Sequence, residues 1–351
     1  MNPNRDIYHM KIPTIGNEIL PFDILVRVFQ YYQLDESLIY PIETLLLVCK
    51  AWNEAASNYP PLWSTYTIDS YNMVVADIWL RRLPLRLLRS GPTTPLHIDI
   101  CVFYECTLWS ELDTNFSDEK PIIALLNILA GENGTLCARW KSLRFSIDSY
   151  VCFTMEGGEH SLKALTYPMP LLTSLELNLY MSPGAVIFPN LPSLTSVFLY
   201  NSTFNNYPDV SHALKIEFAN TRWNEMHEPM KVPKVQELHI SGDIQSFRHP
   251  WEYENLRTLV LEKYNQVSSL KGLSMPSLKT LIIEFNQVVQ ICAVVDFSAI
   301  ANIHTFDLRG RLPFGEDRKE VYRIISRLLR ACIRLRELRI NEYVLSILLE
   351  D

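Results

Sequence analysis

Glycine is scarce, with 11 in 351 residues, and none falls in a G-x-G-x-x-G or in a glycine-rich run ending in Lys-Ser or Lys-Thr. Loops that wrap a phosphate need glycine for close backbone approach, so nucleotide-dependent chemistry is disfavoured. Paired cysteines are missing too. The seven cysteines (Cys49, Cys101, Cys106, Cys137, Cys152, Cys292 and Cys332) include no C-x-x-C, which fits reduced, buried thiols better than a disulfide frame or a zinc site. Positive charge is not in surplus: the formal net charge is -7 and the pI is near 5.7. Nucleic acid and anionic membrane are therefore not expected partners. No long apolar run is found either. MNPNRDIYHMKIPTIG has no secretory h-region, and no segment reaches the roughly 18 apolar residues of a membrane span, so the expectation is a cytosolic or nuclear chain. The eight histidines (His9, His97, His160, His212, His227, His239, His249 and His304) form no H-x-x-x-H or H-E-x-x-H, and no G-x-S-x-G elbow occurs. The expectation is a chain without catalytic residues, metal or cofactor.

What is present is enough apolar residue for a large core. Hydrophobic residues are 48% and charged residues 20%, as in folded domains, and the length suits one small unit plus a repeat array. NEILPFDILVRVFQYY, residues 17 to 32, places Ile24, Leu25, Val28, Phe29 and Tyr32 on one helical face, with Pro21 in the first turn. From Pro41 to Ala56 the spacing predicts a second helix, with Leu45, Val48, Cys49, Trp52, Ala55 and Ala56 on one face and Pro60-Pro61 as its stop. So small a unit has little core of its own, and its apolar residues need a cover. Residues 71 to 83 and 119 to 130 read as helices, and PLHIDICVF alternates as a strand does.

From about residue 137 one phrase returns: WKSLRFSI, LLTSLELNL, LPSLTSVFL, SHALKIEF, VPKVQELHI, YENLRTLVL, MPSLKTLII, IANIHTFDL and CIRLRELRI. Its core is L-x-x-L-x-L, often preceded by proline. The second apolar positions are Leu143, Leu175, Val197, Leu214, Leu238, Leu259, Leu281, Phe306 and Leu338, spaced mostly by high teens to mid twenties. That period and phrase are the signature of leucine-rich repeats, each giving one strand to a parallel sheet. The repeats are irregular, and the regular turn asparagine occurs once, as Asn286. The last stretch, EDRKEVYRIISRLLRAC, sets Arg323, Arg327, Arg330 and Arg334 opposite Val321, Ile324, Ile325, Leu328 and Cys332. Such a stripe is a solvated face or a dock for an acidic partner.

Residues 19 to 63 closely resemble an F-box, whose phrases Leu-Pro-x-x-Ile/Leu-Leu-x-x-Ile/Val-Phe, Val-Cys-Lys/Arg-x-Trp and Pro-x-Leu-Trp all occur in order. The rest resembles the divergent leucine-rich-repeat bodies that often follow an F-box, notably in fungal sets, down to Trp79-Leu80-Arg81-Arg82 and Pro95-Leu96. The resemblance implies an α/β chain: a tail (1–16), a small helical F-box (17–66), divergent repeats (67–136) and an irregular leucine-rich-repeat solenoid with a parallel, horseshoe-like sheet and a C-terminal amphipathic helix (137–351). The link between the two F-box helices is longer than usual, which leaves the register of Leu34 to Ile42 open.

The implied function is that of a substrate receptor in a ubiquitin ligase of the Skp-cullin-F-box type. The F-box binds the Skp-type adaptor, the adaptor binds the cullin, and the repeats hold a protein target. The alternative is an adaptor-binding scaffold that directs no ubiquitination. Carried over residue by residue, Leu20, Pro21, Ile24, Leu25, Val28, Phe29, Val48, Cys49, Lys50 and Trp52 are adaptor-facing or F-box-core positions. Leu62 and Trp63 are expected at the seam with the body. The x positions of the phrase face the open side of such a sheet, which makes Glu176, Asn178, Phe198, Glu237, His239, Thr258, Lys279, Asp307 and Arg339 target-binding candidates or plain solvated strand residues.

Overall fold

The computed structural model describes residues 20–34, 42–70, 73–103, 120–148, 162–179, 188–201, 203–204, 209–219, 222–223, 232–241, 253–262, 275–285, 301–310 and 318–349. A small helical unit comes first: α1 (Phe22–Leu34), a 3-10 segment (Ile42–Leu47), α2 (Lys50–Ser57) and a one-turn 3-10 end (Pro60–Trp63). The Pro21 carbonyl accepts from the N–H of Ile24 and Leu25, so proline starts α1 where its own missing N–H is not needed. Leu25 and Phe29, one turn apart, meet Ile42, Leu45, Ala55, Ala56, Leu62 and Trp63 in a core separate from that of the sheet. Phe29 and Trp52 pack edge to face with ring centroids 5.5 Å apart.

The single helix expected over Pro41 to Ala56 is broken. Cys49 is extended (φ −163°, ψ 173°), so the 3-10 segment ends at Leu47 and α2 restarts at Lys50. The Asn53 amide donates to the Leu46 carbonyl at 3.0 Å and satisfies a group that the break frees. Val48 and Cys49 are thereby turned away from the face of Leu45 and Trp52, toward solvent. Pro41 and the link 35–41 lie outside the described residues, as does Asn286.

After Trp63 follow β1 (Thr65–Ser70), α3 (Met73–Arg89), β2 (Leu96–Phe103), α4 (Lys120–Ala130), β3 (Trp140–Asp148), β4 (Ser174–Leu179), β5 (Ser196–Tyr200), β6 (Thr203–Phe204), β7 (Lys215–Ala219), β8 (Arg222–Trp223), β9 (Glu237–Ser241), β10 (Thr258–Glu262), β11 (Thr280–Phe285), β12 (Thr305–Gly310), α5 (Arg318–Ala331), β13 (Glu337–Ile340) and α6 (Glu342–Leu349). Except for β6 and β8, which pair with each other, these strands make one parallel sheet of eleven whose spatial order is their order in sequence. A chain coiling in one direction produces that order, and the fold is a solenoid-like α/β arrangement. Its first strands, β1 and β2, come from before residue 137.

Period-two alternation sends two rows of side chains inward. One runs Tyr66, Ile98, Leu143, Leu175, Val197, Ile216, Leu238, Leu259, Leu281, Phe306 and Leu338; the other runs from Ile68 through Phe145, Phe218 and Leu261 to Ile340. Each fully buried member contributes about 1.5–3 kcal/mol by leaving water. The phrase has a turn built into its start. Leu172, Leu194, Ala213, Val235, Leu256 and Leu278 donate their N–H to the carbonyl three residues earlier at 2.9–3.3 Å. Pro170, Pro192, Pro233 and Pro276 take the second turn position, where a fixed φ is an advantage.

That turn corrects one register. Leu214, expected in the inward row, is exposed in the connection before β7, and Ile216 holds the place. Ala213, not Leu214, closes the turn, so the strand starts two residues later. Helix α3 also runs past residue 83, through exposed Pro84 to Arg89, and Arg86, beyond the expected end, is buried like Leu83 three residues before it. Helix α4 stops at Gly131 (φ 72°), as expected. Among the described residues no helix is long and apolar enough to cross a membrane.

The two units meet at one edge of the sheet. The His97 N–H donates to the Ser64 carbonyl at 2.9 Å, the Arg89 guanidinium lies 4.6 Å over the Trp63 ring, and Arg86 Nε is 3.1 Å from Glu43 Oε1. Trp63, wholly buried, donates from Nε1 to the Ala56 carbonyl at 2.7 Å.

Candidate functional site

Two surfaces gather the candidate residues. On the helical unit, Leu20, Pro21, Ile24, Val48, Cys49 and Lys50 are exposed. Val28 and Trp52 are half-buried, and Leu25 and Phe29 lie inside, where they support the unit and present nothing to a partner. Phe22 and Leu47 join the exposed set without having been expected; Leu47 is 84% and Val48 56% exposed. The cause is local. The break at Cys49 turns Leu47 and Val48 outward together, and α1 starts so that Phe22 and Ile24 sit off its buried side. The small helical unit thus carries exposed apolar side chains at both places.

The second surface is the open face of the sheet. Its middle row reads, in register, Thr67, Asp99, Arg144, Glu176, Phe198, Glu217, His239, Val260, Ile282, Asp307 and Arg339. Its charges answer one another across strands. Arg144 reaches Asp99 at 3.6 Å and Glu176 at 3.0 Å. Lys215 reaches Glu237 at 2.7 Å and lies 5.7 Å from the Phe198 ring centre. Asp307 is buried and takes Arg309 on both carboxylate oxygens, while Arg339 holds Glu337 at 2.8 Å. The Asn201 amide donates to Asn178, and the Asn178 amide to Ser146.

His239 is the centre of the densest group. Its Nδ1 is 3.2 Å from Glu217 Oε2, whose other oxygen accepts from the Tyr200 hydroxyl at 2.7 Å. Its Nε2 is 3.1 Å from Glu262 Oε2, at ion-pairing distance but not along a hydrogen-bond axis. Burial alone would lower the imidazole pKa; hydrogen bonding to Glu217 and the charges of Glu217 and Glu262 outweigh it and hold the pKa above the ordinary value. Burial works to raise the Glu217 carboxyl, but the hydrogen bonds from His239 and Tyr200 win and keep it low. Burial, with the Glu217 carboxylate beside it, pushes the Tyr200 hydroxyl up.

Of the target-face candidates, Glu176, Asn178, Phe198, Glu237, His239, Thr258, Asp307 and Arg339 lie on strands of this face. Lys279 does not: it sits in the connection before β11, where its carbonyl accepts from His304 and Thr305. Asp99, Arg144, Glu217, Tyr200 and Glu262 belong to the face and were not among the candidates. Their signal was present, since Arg144 and Glu217 occupy the x of the same L-x-L as Glu176 and His239. Counting Leu214 as the inward residue hid Glu217. Burial pushes the thiols of Cys101 and Cys137 up to about 12 and that of Cys332 up to about 11, away from thiolate chemistry. Among the described residues no group of three or more His, Cys, Asp or Glu is placed to hold a metal ion. No protein-family model matches this chain, and no curated protein sequence matches it.

Proposed function

We propose that this chain is the substrate-receptor subunit of a ubiquitin ligase of the Skp-cullin-F-box type, with an F-box from residue 17 to 66 and a leucine-rich-repeat body after it. The observation that carries the reading is the uncovered apolar surface of the helical unit, Leu20, Phe22, Ile24, Leu47 and Val48, in the stretch that holds the three F-box phrases. An interface of standard size, on the order of 1,600 Å² in total, needs such an apolar centre with exposed basic and polar groups at its rim. The unit is also fixed to the sheet edge through Glu43, Arg86, Trp63 and Arg89, so a partner held on it is held in a set direction relative to the body.

The body then holds a protein target on the open face, with Glu176, Phe198 and His239 among its contacts. The contribution to ubiquitin transfer is proximity: a tethered target lysine has a high effective concentration at a charged carrier without proton transfer by the receptor. The test is co-expression of the full chain with a Skp-type adaptor, followed by addition of the cullin and size-exclusion analysis. A stoichiometric ternary complex is expected, and Leu47→Asp together with Val48→Asp should remove it. A folded chain that captures no adaptor overturns the reading, and capture of adaptor without cullin leaves only a scaffold.

A further inference from the structure

Among the described residues β13 is the outermost strand opposite β1, and its surroundings differ from those of the other strands. Ten of the eleven residues in the first inward row are at most 2% exposed, while the last, Leu338, is 40% exposed. Ile333, in the turn before β13, is 77% exposed. β13 pairs with β12 along one edge, and among the described residues no strand pairs with the other. The backbone groups of Glu337–Ile340 on that side are therefore placed to accept a further strand.

Charge at this end runs against the rest of the chain. Arg330, Arg334 and Arg336 are exposed, and none of the three forms an ion pair among the described residues of a chain whose net charge is -7. Arg339 alternates with Glu337 and is bonded to it.

We propose that the free edge of β13 takes up an extended acidic segment of a partner protein as a twelfth strand, with carboxylates on Arg330, Arg334 and Arg336 and apolar side chains over Leu338 and Ile333. A second copy of this chain fits less well, because edge-to-edge contact would bring two sets of the same unpaired arginines together. Nucleic acid fits less well too, since a phosphate backbone offers nothing to the strand edge or to the exposed leucine and isoleucine, and the net charge repels it. The site is independent of adaptor binding: the helical unit adjoins β1, at the opposite edge of the sheet.

The experiment titrates the full chain, with its adaptor where the complex is the soluble form, against labelled, end-capped peptides followed by fluorescence anisotropy. The probes are an alternating Glu-Val peptide, an alternating Lys-Val peptide, and the Glu-Val peptide N-methylated on alternate amides. The first should bind at least about tenfold tighter than the other two and weaken with salt. Reversing the arginines (Arg330→Glu, Arg334→Glu, Arg336→Glu) should cost at least about tenfold, and exposed positions like these leave unfolding nearly unchanged. Hydrogen exchange should show new protection at the β13 amides when the Glu-Val peptide is added. Equal binding of acidic and basic peptides, full affinity in the triple variant or in the N-methylated peptide, or protection confined to other strands overturns the proposal. So does a chain that sediments as a dimer dissolved by Leu338→Lys, or one that prefers single-stranded RNA to the Glu-Val peptide.

Discussion

Phe29 lies wholly inside the helical unit with its ring edge-on to Trp52. Phe29→Ala should lower the stability of that unit by about 3–5 kcal/mol, read in urea by tryptophan fluorescence, because the cavity cannot collapse around one buried ring. Val48→Asp should change unfolding by less than about 0.5 kcal/mol and yet abolish adaptor capture, since its side chain touches solvent. Loss of capture in the first variant alone would move the contact surface off the break at Cys49. His239 gives a pH dependence with a definite sign. Its folded pKa is raised above the ordinary 6.5, so its contribution is complete below that value and is lost as pH rises through the folded one. Glu217, held below its usual 4.5, contributes fully above that value and loses the contribution as pH falls through the folded one. His239→Gln should therefore cost more stability at about pH 5.5 than at about pH 8.5. An equal cost at both would mean that the carboxylates do not hold the ring.

At the scale of the element, the connection from α4 to β3 rests on a backbone that only glycine adopts freely. Gly134 has φ +76°, and a Cβ there would stand 2.1 Å from Cγ of Tyr167. Gly134→Ala should cost about 2–5 kcal/mol in thermal or urea unfolding, whereas Asn133→Gly, at φ 52°, should be neutral or slightly stabilising. The sheet strands from β2 onward were legible in the sequence because period two is a short-range signal, and the L-x-x-L-x-L phrase repeats it with a turn in front, whereas β1, β6 and β8 carry no such phrase. The Leu214 register was not, because Leu214 and Ile216 have the same parity and only the hydrogen-bonded turn at Ala213 separates them. The break at Cys49 was not legible either, since Leu-Leu-Leu-Val-Cys has helical spacing throughout, and packing of Leu45 and Ala55 on Phe29 sets the kink. Six of the ten adaptor-surface candidates are exposed because the phrases place them at the start of α1 and at that break. Phe22 and Leu47 escaped because exposure of a large apolar residue is decided by the direction of an element, which periodicity gives only within a continuous helix.

For the whole molecule the junction is the sensitive place. Arg86 is buried, and Glu43, its acid, comes from the other unit. Glu43→Ala leaves that guanidinium without its acid and should cost about 1–3 kcal/mol, seen as lower stability and faster proteolysis between the units. Glu43→Gln should restore part of it, because an amide oxygen still faces the guanidinium. From β3 onward, register passes unchanged from strand to strand, so the chain can be shortened there in whole periods. Excising residues 237–257 would join Gln236 to Thr258, set Ile216 beside Leu259 and Phe218 beside Leu261, and keep both ends as they are. The helical unit and the β13 edge are separated by ten strand spacings of about 4.8 Å, and each excised period removes one. The sheet is in this sense a ruler, and the number of its graduations sets how far the helical unit stands from the β13 edge.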